Sequence, residues 1–216
     1  RQPSGVVDKE DSLDITVLQH LFDGMYALAV EGTAVTDSAA VLADSYLQND
    51  MSRNDAAESL VLYESLKACG SGFSCGLTGG ALLPLTVTAD VCSSLFIQMR
   101  LCAAVAIIGG HDTADPRVRL LCWGALAGDA CSDAISGIIT RLLTRALSQS
   151  QAETALLTVV RDALLLKSSQ VLLRESLLLP LLGGVINGGA AWLVTRLTGQ
   201  LAIRLFIPPV TPPCAA

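Results

Sequence analysis

The chain is poor in aromatic residues and in basic residues. Of its 216 residues, 4% are aromatic, and 14 Lys and Arg stand against 20 Asp and Glu, for a formal net charge of −6. Nucleic-acid binding uses basic residues to neutralise phosphates and often aromatic rings to stack on nucleobases. We therefore expect no nucleic-acid partner.

Metal ligands are also scarce. The only histidines are His20 and His111, and no two of the seven cysteines have the C-x-x-C spacing of structural zinc sites. We expect no metal and no cofactor. An odd number of cysteines, most of them in apolar segments, is typical of free thiols in a reducing compartment, so we expect a cytoplasmic protein. Cys69 and Cys75, on either side of glycines, are the one pair to test for a disulfide.

Apolar residues, by contrast, are abundant. Hydrophobic residues make up 51% of the chain and charged residues 16%, with a mean hydropathy of +0.54. This composition excludes a disordered chain and indicates contact with lipid. Residues 1–80 contain 12 acidic and 4 basic residues, and the remainder contains 8 and 10. Either the second part faces an anionic lipid surface, or the first part is solvated and the rest buried.

Helical periodicity dominates the N-terminal part of the sequence. Apolar residues recur at helical spacing from Leu13 and stop at Gly32, which predicts a first amphipathic helix. Asp37 is expected to cap a short second helix. Ser52 and Asp55 have the spacing of a capping box and predict the start of a third helix.

A long apolar helix is predicted to follow a glycine-rich loop. Pro84 suits its first turn, and Gly109 with Gly110 supplies its C-terminal stop. Asp115 followed by Pro116 predicts the start of the next helix, because an aspartate caps well and proline is tolerated in a first turn.

Two more helices are predicted over residues 132–148 and 153–175, and strand-like alternation is absent from the sequence. The sequence thus predicts an all-α, single-domain bundle of about six to eight helices, with long apolar central helices and a glycine-rich C-terminal helical element. We expect residues 1–12 to form a polar leader, 13–206 the helical domain and 207–216 a proline-rich tail.

The glycine-rich element contains the one segment long enough to span a membrane. Residues 176–195 are twenty consecutive uncharged residues. Proline and glycines lower its apolar character, so we favour a buried hairpin or re-entrant element, with an interfacial element and a true span as alternatives. The residues predicted to form an apolar membrane-facing or packing surface are Pro84, Gly183, Gly184, Gly188, Gly189 and Trp192.

Three groups of residues between Lys67 and Ala130 resemble the EcsC family, a group of mostly bacterial proteins without a settled biochemical activity. They are Ser71-Gly72-Phe73 with Gly79-Gly80; Leu83-Pro84, Thr88-Ala89-Asp90 and Gln98-Met99-Arg100-Leu101; and Gly110-His111-Asp112, Asp115 to Arg119 and Gly128-Asp129. A fourth group, Leu179 to Gly189 with Thr195 and Gly199, resembles the family's C-terminal glycine-rich element. The chain departs from the family at Ala190 and Ala191, where relatives tend to carry an aromatic residue and an acid.

The resemblance implies a helical protein associated with membranes or lipid, and in some members a link to membrane transport or secretion machinery. It implies no catalytic residues.

Asp90 and Arg100 are the charged residues of greatest interest, because both fall within the long apolar helix. Ten residues of helix separate them by about 15 Å, so each needs a partner from another element. The candidate partners for Arg100 are Asp129, Asp133 or a helix N-terminus. Either the two charges fix the helix register, or Arg100, assisted by Ser93, binds a lipid headgroup beside an apolar cavity.

Two other motifs have a chemical and a structural interpretation. His111, in a loop between two helices, is a candidate for headgroup binding or for acid–base chemistry, and Asp112 beside it is expected to form a turn. Gly72 to Gly76 match the G-x-S-x-G nucleophile motif around Ser74, but the motif requires a preceding strand and here follows a helix.

We therefore expect a non-enzymatic, cytoplasmic, peripherally membrane-associated protein that binds lipid through a hydrophobic groove or surface between helices. The partner is lipid or a membrane surface, with membrane transport machinery as a further one. One alternative is a homodimeric protein-interaction module, and another is a serine esterase that uses Ser74 and His111.

Overall fold

Eight α-helices form the fold in a computed structural model, which describes residues 15–47, 51–70, 89–127, 132–175 and 180–208. They are α1 (Ile15–Glu31), α2 (Ala39–Leu47), α3 (Arg53–Gly70), α4 (Ala89–Gly109), α5 (Pro116–Ala127), α6 (Ser132–Leu143), α7 (Gln149–Glu175) and α8 (Pro180–Phe206). Over these ranges the only β-type pairing is an isolated bridge between Thr33 and Thr36. The predicted all-α bundle is confirmed.

Glycines and an aspartate mark helix ends where the sequence predicts them. Gly32 and Gly110 have φ angles of +87° and +86°, the left-handed conformation that glycine adopts without a steric penalty. The amide of Gly32 closes α1 by donating to the Leu28 carbonyl at 2.9 Å. At the start of α5, Oδ1 of Asp115 accepts a hydrogen bond from the Arg117 amide at 2.8 Å, which confirms the predicted cap.

The hydroxyl groups of two serines cap α2 and α3. Oγ of Ser52 accepts from the Asp55 amide at 3.2 Å and donates to the Asp55 carboxylate at 2.6 Å, as the capping-box spacing predicts. The predicted cap of α2 is wrong by one residue, because Ser38 rather than Asp37 caps it, through the Val41 amide at 3.2 Å. Ser38 directly precedes the first helical residue and has the short hydroxyl that reaches an N3 amide.

Helix α4 is the centre of the bundle. It packs against α1, α2, α3, α5 and α8, and every residue from Leu101 to Ala106 is buried. A helix that is apolar on all sides is stable in water only when other helices surround it. The predicted long apolar central helix is therefore confirmed.

Helix α3 runs antiparallel to α4, and α8 runs parallel to α4. The contacts that fix these directions are Arg53–Gly109 and Glu64–Arg100 between α3 and α4, and Thr198–Gln98 and Phe206–Gly109 between α8 and α4. It follows that α3 and α8 form an antiparallel pair on one side of α4.

The hairpin predicted within residues 176–195 is wrong. The backbone from Pro180 to Phe206 is one continuous α-helix. Pro180 is its first residue, where a missing amide costs nothing, and each interior glycine costs only about 1 kcal/mol of helix stability. Among the helices described, none has both the length and the apolar composition needed to cross a bilayer.

Small residues bring helices into close contact at two places. A Cβ on Gly199 of α8 would lie 2.6 Å from both methyl carbons of Val61 on α3. A Cβ on Gly124 of α5 would lie 2.9 Å from Cγ2 of Ile135 on α6. Real side chains do not approach so closely, so both crossings require glycine.

The two helices predicted over 132–148 and 153–175 are present as α6 and α7 with shifted ends. Helix α6 ends at Leu143, and a turn that includes Arg145 with φ of 58° leads to α7 at Gln149. Helix α6 is strongly amphipathic, with Ile135 buried and Ile138, Ile139 and Leu142 half-buried on the same stripe.

Candidate functional site

Arg100, the residue predicted to bind a lipid headgroup, lies on α4 and has partners inside the protein. Its Nη2 lies 3.1 Å from Oε2 of Glu64 on α3, and its Nη1 donates to the Asp37 carbonyl at 3.3 Å. The side chains of Arg100 and Glu64 are 12% and 3% exposed. Since its charge is neutralised internally, an external anion would compete with Glu64 for Arg100.

Glu64 is a site residue that the sequence reasoning missed. The sequence predicts Asp129, Asp133 or a helix N-terminus as the partner of Arg100, whereas the structure pairs it with Glu64. Asp133 is exposed, and Asp129 lies outside the described residues. Glu64 also binds Nζ of Lys67 at 2.9 Å. It falls on the buried side of α3 at helical spacing, and an acid on an apolar stripe is the signal that could have found it.

Several other predicted site residues fall outside the described part of the structure. Pro84 lies in such a segment, and Asp90 and Ser93 lie on α4 with side chains that are not among those described. The predicted glycines of the C-terminal element belong to the α8 backbone, but their surroundings also lie outside the described residues. They are Gly183, Gly184, Gly188 and Gly189.

His111 occupies the turn between α4 and α5, as predicted. Its Nε2 donates to the Phe206 carbonyl at 2.9 Å, and its ring lies 5.5 Å from the Phe206 ring. The carboxylate of Asp112 accepts from the Ala114 amide at 2.9 Å and forms the predicted turn. His111 therefore joins the end of α8 to this turn and lies at the edge of a cavity.

That cavity, of about 240 Å³, lies between α5, α6 and α7. Aliphatic side chains form most of its wall, and it extends towards the close contact of Gly124 with Ile135 and Leu156. The apolar lining residues are Val118, Leu120, Leu121, Ile138, Ile139, Leu142, Ala152 and Leu156.

Polar residues occupy one side of this apolar cavity. The rest of its lining consists of three exposed residues, His111, Asp115 and Arg117. We call this exposed side the rim of the cavity. The Asp115 carboxylate is engaged in capping α5 through the Arg117 amide. The Arg117 guanidinium forms no salt bridge among the described residues. The cavity thus combines an aliphatic interior with an arginine at its rim that forms no salt bridge among the described residues.

Four exposed leucines form a second apolar feature, which we call the leucine surface. Leu62 and Leu66 lie on α3, and Leu193 and Leu197 on α8, each between 41% and 54% exposed. Each pair is four residues apart and therefore lies on one side of its helix. Because α3 and α8 are antiparallel and cross at Val61 and Gly199, both pairs lie on the same side of the crossing.

Aromatic and basic residues accompany the leucine surface. On α8, the Arg196 guanidinium lies 5.7 Å from the ring centre of half-buried Trp192, and Nη1 of Arg196 is buried with no hydrogen-bond partner among the described residues. On α3, Nζ of Lys67 lies 4.6 Å from the ring centre of Tyr63, which is 53% exposed. Such pairs place amphipathic rings and cations beside an apolar surface.

A third feature is a polar cavity of about 230 Å³ between α1 and the start of α5. The guanidinium of Arg119 lies 3.0 Å from Asp23 of α1 and 2.9 Å from Glu153 of α7. The Tyr26 hydroxyl donates to the Thr113 carbonyl at 2.9 Å, and burial raises its pKa well above the ordinary value. These contacts join three helices, so the cavity's charges are engaged in holding the bundle together.

The two thiols whose surroundings the structure describes are unreactive, and no metal cluster is found among the described residues. Cys102 and Cys122 are buried, and burial raises the pKa of Cys102 to about 12 and that of Cys122 well above its ordinary value. The described residues contain no group of three or more His, Cys, Asp or Glu that could hold a metal. Cys69 lies on α3 with a side chain that is not among those described, and Cys75 and the Ser74 motif lie outside the described residues.

Comparison of the chain with protein-family models, with curated proteins and with solved structures finds no match. The leucine surface and the apolar cavity are the features of the described structure that point to a function.

Proposed function

We propose that this protein is a non-enzymatic, peripheral membrane protein that binds an anionic lipid surface through the leucine surface of α3 and α8. The observation that carries the proposal is the exposure of two leucine pairs, Leu62 with Leu66 and Leu193 with Leu197, on two helices that pack against each other. Scattered exposed leucines are ordinary, whereas a contiguous apolar area on a protein surface is typical of a contact site.

The energetics favour reversible attachment. Complete burial of a leucine is worth about 1.5–3 kcal/mol, so burying the exposed halves of four leucines contributes on the order of 4 kcal/mol. That free energy corresponds to roughly millimolar affinity. Leucines alone would hold the protein on a membrane only weakly.

On an anionic membrane, basic residues beside the leucines add an electrostatic contribution to the binding free energy. Lys67 follows Leu66 on α3 and Arg196 lies between Leu193 and Leu197 on α8, and each basic residue near such a surface adds about 1 kcal/mol. The ring of Trp192 suits the boundary between headgroups and acyl chains. The proposal therefore requires anionic lipid for tight binding and predicts weaker binding at high salt.

The test is co-sedimentation of the purified protein with vesicles. We expect it to bind vesicles of equal parts phosphatidylcholine and phosphatidylglycerol, and to bind pure phosphatidylcholine at least about tenfold more weakly. The double variant Leu193→Ser, Leu197→Ser should lose most of this binding, since it removes half of the leucine surface. Thermal unfolding checks that the variant remains folded.

A matched control replaces two exposed valines that lie outside α3 and α8. Val17 on α1 is 38% exposed and Val35, between α1 and α2, is 82% exposed. Val17→Ser with Val35→Ser should leave vesicle binding unchanged. Absence of binding to the mixed vesicles, or equal losses in both double variants, would refute the proposal. A change from dimer to monomer in the leucine variant alone would favour the homodimer instead.

We also propose that this chain is a member of the EcsC family. It is supported by the order of the four resembling groups along the chain and by the helical fold. The close approach at Gly199, within the glycine-rich element, gives one of the resembling residues a physical role as a helix contact.

A further inference from the structure

We infer that the cavity between α5, α6 and α7 binds a single-chain anionic amphiphile of the fatty-acid class, with its chain among the aliphatic side chains and its carboxylate at Arg117. This site lies on other helices than the leucine surface and does not depend on membrane association. The inference starts from the shape, lining and charge of the cavity.

The lining specifies the chemistry of the chain. Apart from its rim, the cavity contacts only Val, Leu, Ile and Ala side chains. Such a wall offers a bound molecule no hydrogen-bond partner, so a polar group placed there would be desolvated without compensation. An alkyl chain has no hydrogen bonds with water to lose, so it is the ligand group with the smallest desolvation cost on entering the cavity.

The volume limits the occupant to one chain. At about 240 Å³ the cavity is smaller than the 300–1,000 Å³ of typical small-molecule sites. The close packing of Ile135 on Gly124 closes the region where α5 and α6 meet. A two-chain phospholipid does not fit within this space, whereas one medium-length chain does.

The amphipathic helix α6 supports the same occupant. Ile138, Ile139 and Leu142 face the cavity and are only half-buried, although their stripe is the side of α6 that packs on the bundle. A chain in the cavity would cover these side chains and add apolar contacts that the empty protein lacks. The added contacts would stabilise the packing of α6 in particular, because α6 packs on few other helices.

Charge at the rim selects the headgroup. Arg117 forms no salt bridge among the described residues, and its planar guanidinium matches the two oxygens of a carboxylate. The Asp115 carboxylate caps α5 through the Arg117 amide and forms no salt bridge with the Arg117 guanidinium among the described residues.

The experiment is titration calorimetry with decanoate and with decanol, both below the concentrations at which they aggregate. We expect decanoate to bind with one-to-one stoichiometry. Arg117→Gln should weaken decanoate binding about tenfold and leave decanol binding unchanged, because only the carboxylate uses the guanidinium. Arg145→Gln is the charge-matched control, since Arg145 is exposed and does not line the cavity.

Filling the cavity tests the position of the chain. Ala152→Leu should abolish binding of both ligands, because Ala152 is buried in the cavity wall. If that variant does not fold, Ile139→Phe at the half-buried wall serves the same purpose. Absence of decanoate binding to the unaltered protein, or binding that survives in the filled variants, would overturn the inference. The leucine-surface variants should bind decanoate normally, so failure of either proposal leaves the other standing.

Discussion

The Glu64–Arg100 pair shows how two charges are accommodated in an apolar bundle. Each side chain is almost buried, and the carboxylate of Glu64 receives both Arg100 and Lys67. Removing one member of a buried pair leaves the other without compensation, whereas replacing both with apolar residues of similar size is often neutral. The pair thus fixes the register of α3 against α4 and makes each member dependent on the other.

We expect Glu64→Leu to lower the free energy of unfolding by about 3 kcal/mol or more, because Arg100 would remain buried without its partner. Arg100→Met should have a similar effect. The double variant should recover most of the loss, since neither charge remains. Urea unfolding followed by circular dichroism measures all three.

The control for this cycle is Glu58→Gln on the same helix. Glu58 binds the neutral amide of Gln200 at 2.7 Å, so its replacement should cost about 1 kcal/mol or less. Additive losses in the double variant would contradict a coupled pair. A folded Arg100→Met protein that no longer binds vesicles would instead assign Arg100 to a lipid headgroup.

At the scale of the helices, close contacts through glycine decide which elements meet. Helix α8 is continuous and packs against both α3 and α4, and Gly199 lies at its contact with α3. Without a side chain at Gly199, the backbone of α8 approaches the methyl groups of Val61. This contact sets the geometry of the antiparallel pair and therefore the relative position of the leucines on it.

Gly199→Ala is expected to destabilise the protein by about 1–3 kcal/mol, as overpacked cores do, because the new methyl group would overlap the Val61 side chain. Adding Val61→Ala should restore much of the loss by removing the methyl groups that clash. Thermal unfolding of the single and double variants provides the comparison.

Gly137 on α6 is the matched helical control. A Cβ there meets no atom within 4 Å, so Gly137→Ala should stabilise the protein by about 0.4–1 kcal/mol through helix propensity alone. Equal effects at Gly137 and Gly199 would show that backbone freedom, rather than the contact with Val61, determines the result.

At the scale of the whole molecule, thiol and phenol groups whose pKa is raised by burial make the free energy of unfolding depend on pH in the alkaline range. Burial raises the pKa of Cys102 from 9.0 to about 12, and burial followed by nearby charge raises that of Tyr46 from 10.0 to about 12. At pH values between the unfolded and the folded pKa of each group, the unfolded chain releases a proton that the folded protein retains. The stability contributed by each group is therefore complete below its unfolded pKa and is lost as pH rises towards the folded value.

The free energy of unfolding should accordingly fall as pH rises from about 9 to 12, by up to about 1.4 kcal/mol per pH unit for buried Cys102. Half-buried Tyr46 should contribute less, because water screens its exposed part. Cys102→Ala removes one of the groups and should reduce the slope over this range. Any cost of the cavity that it creates is independent of pH. Urea unfolding at a series of pH values gives both slopes, and identical slopes would show that Cys102 is not retained as a neutral thiol.

Part of the candidate site could be predicted from the sequence. His111 and Asp112 are correctly placed in a turn, because glycines before them and an aspartate–proline pair after them stop and start helices locally. Arg100 was correctly singled out as a charge in an apolar helix, but its partner Glu64 lies 36 residues away in the chain. Pairings across such distances depend on which helices pack together, and periodicity within one helix does not reveal that.

The sequence by itself determined the helical class and most helix ends, because caps, positive φ angles and apolar spacing act over a few residues. Tertiary structure decided that α8 is one helix rather than a hairpin, because the low helix propensity of glycine, about 1 kcal/mol per residue, does not settle this choice locally. It also decided which leucines stay exposed and where an apolar cavity remains. Burial depends on neighbours that come from distant parts of the chain, and only the assembled bundle brings them together.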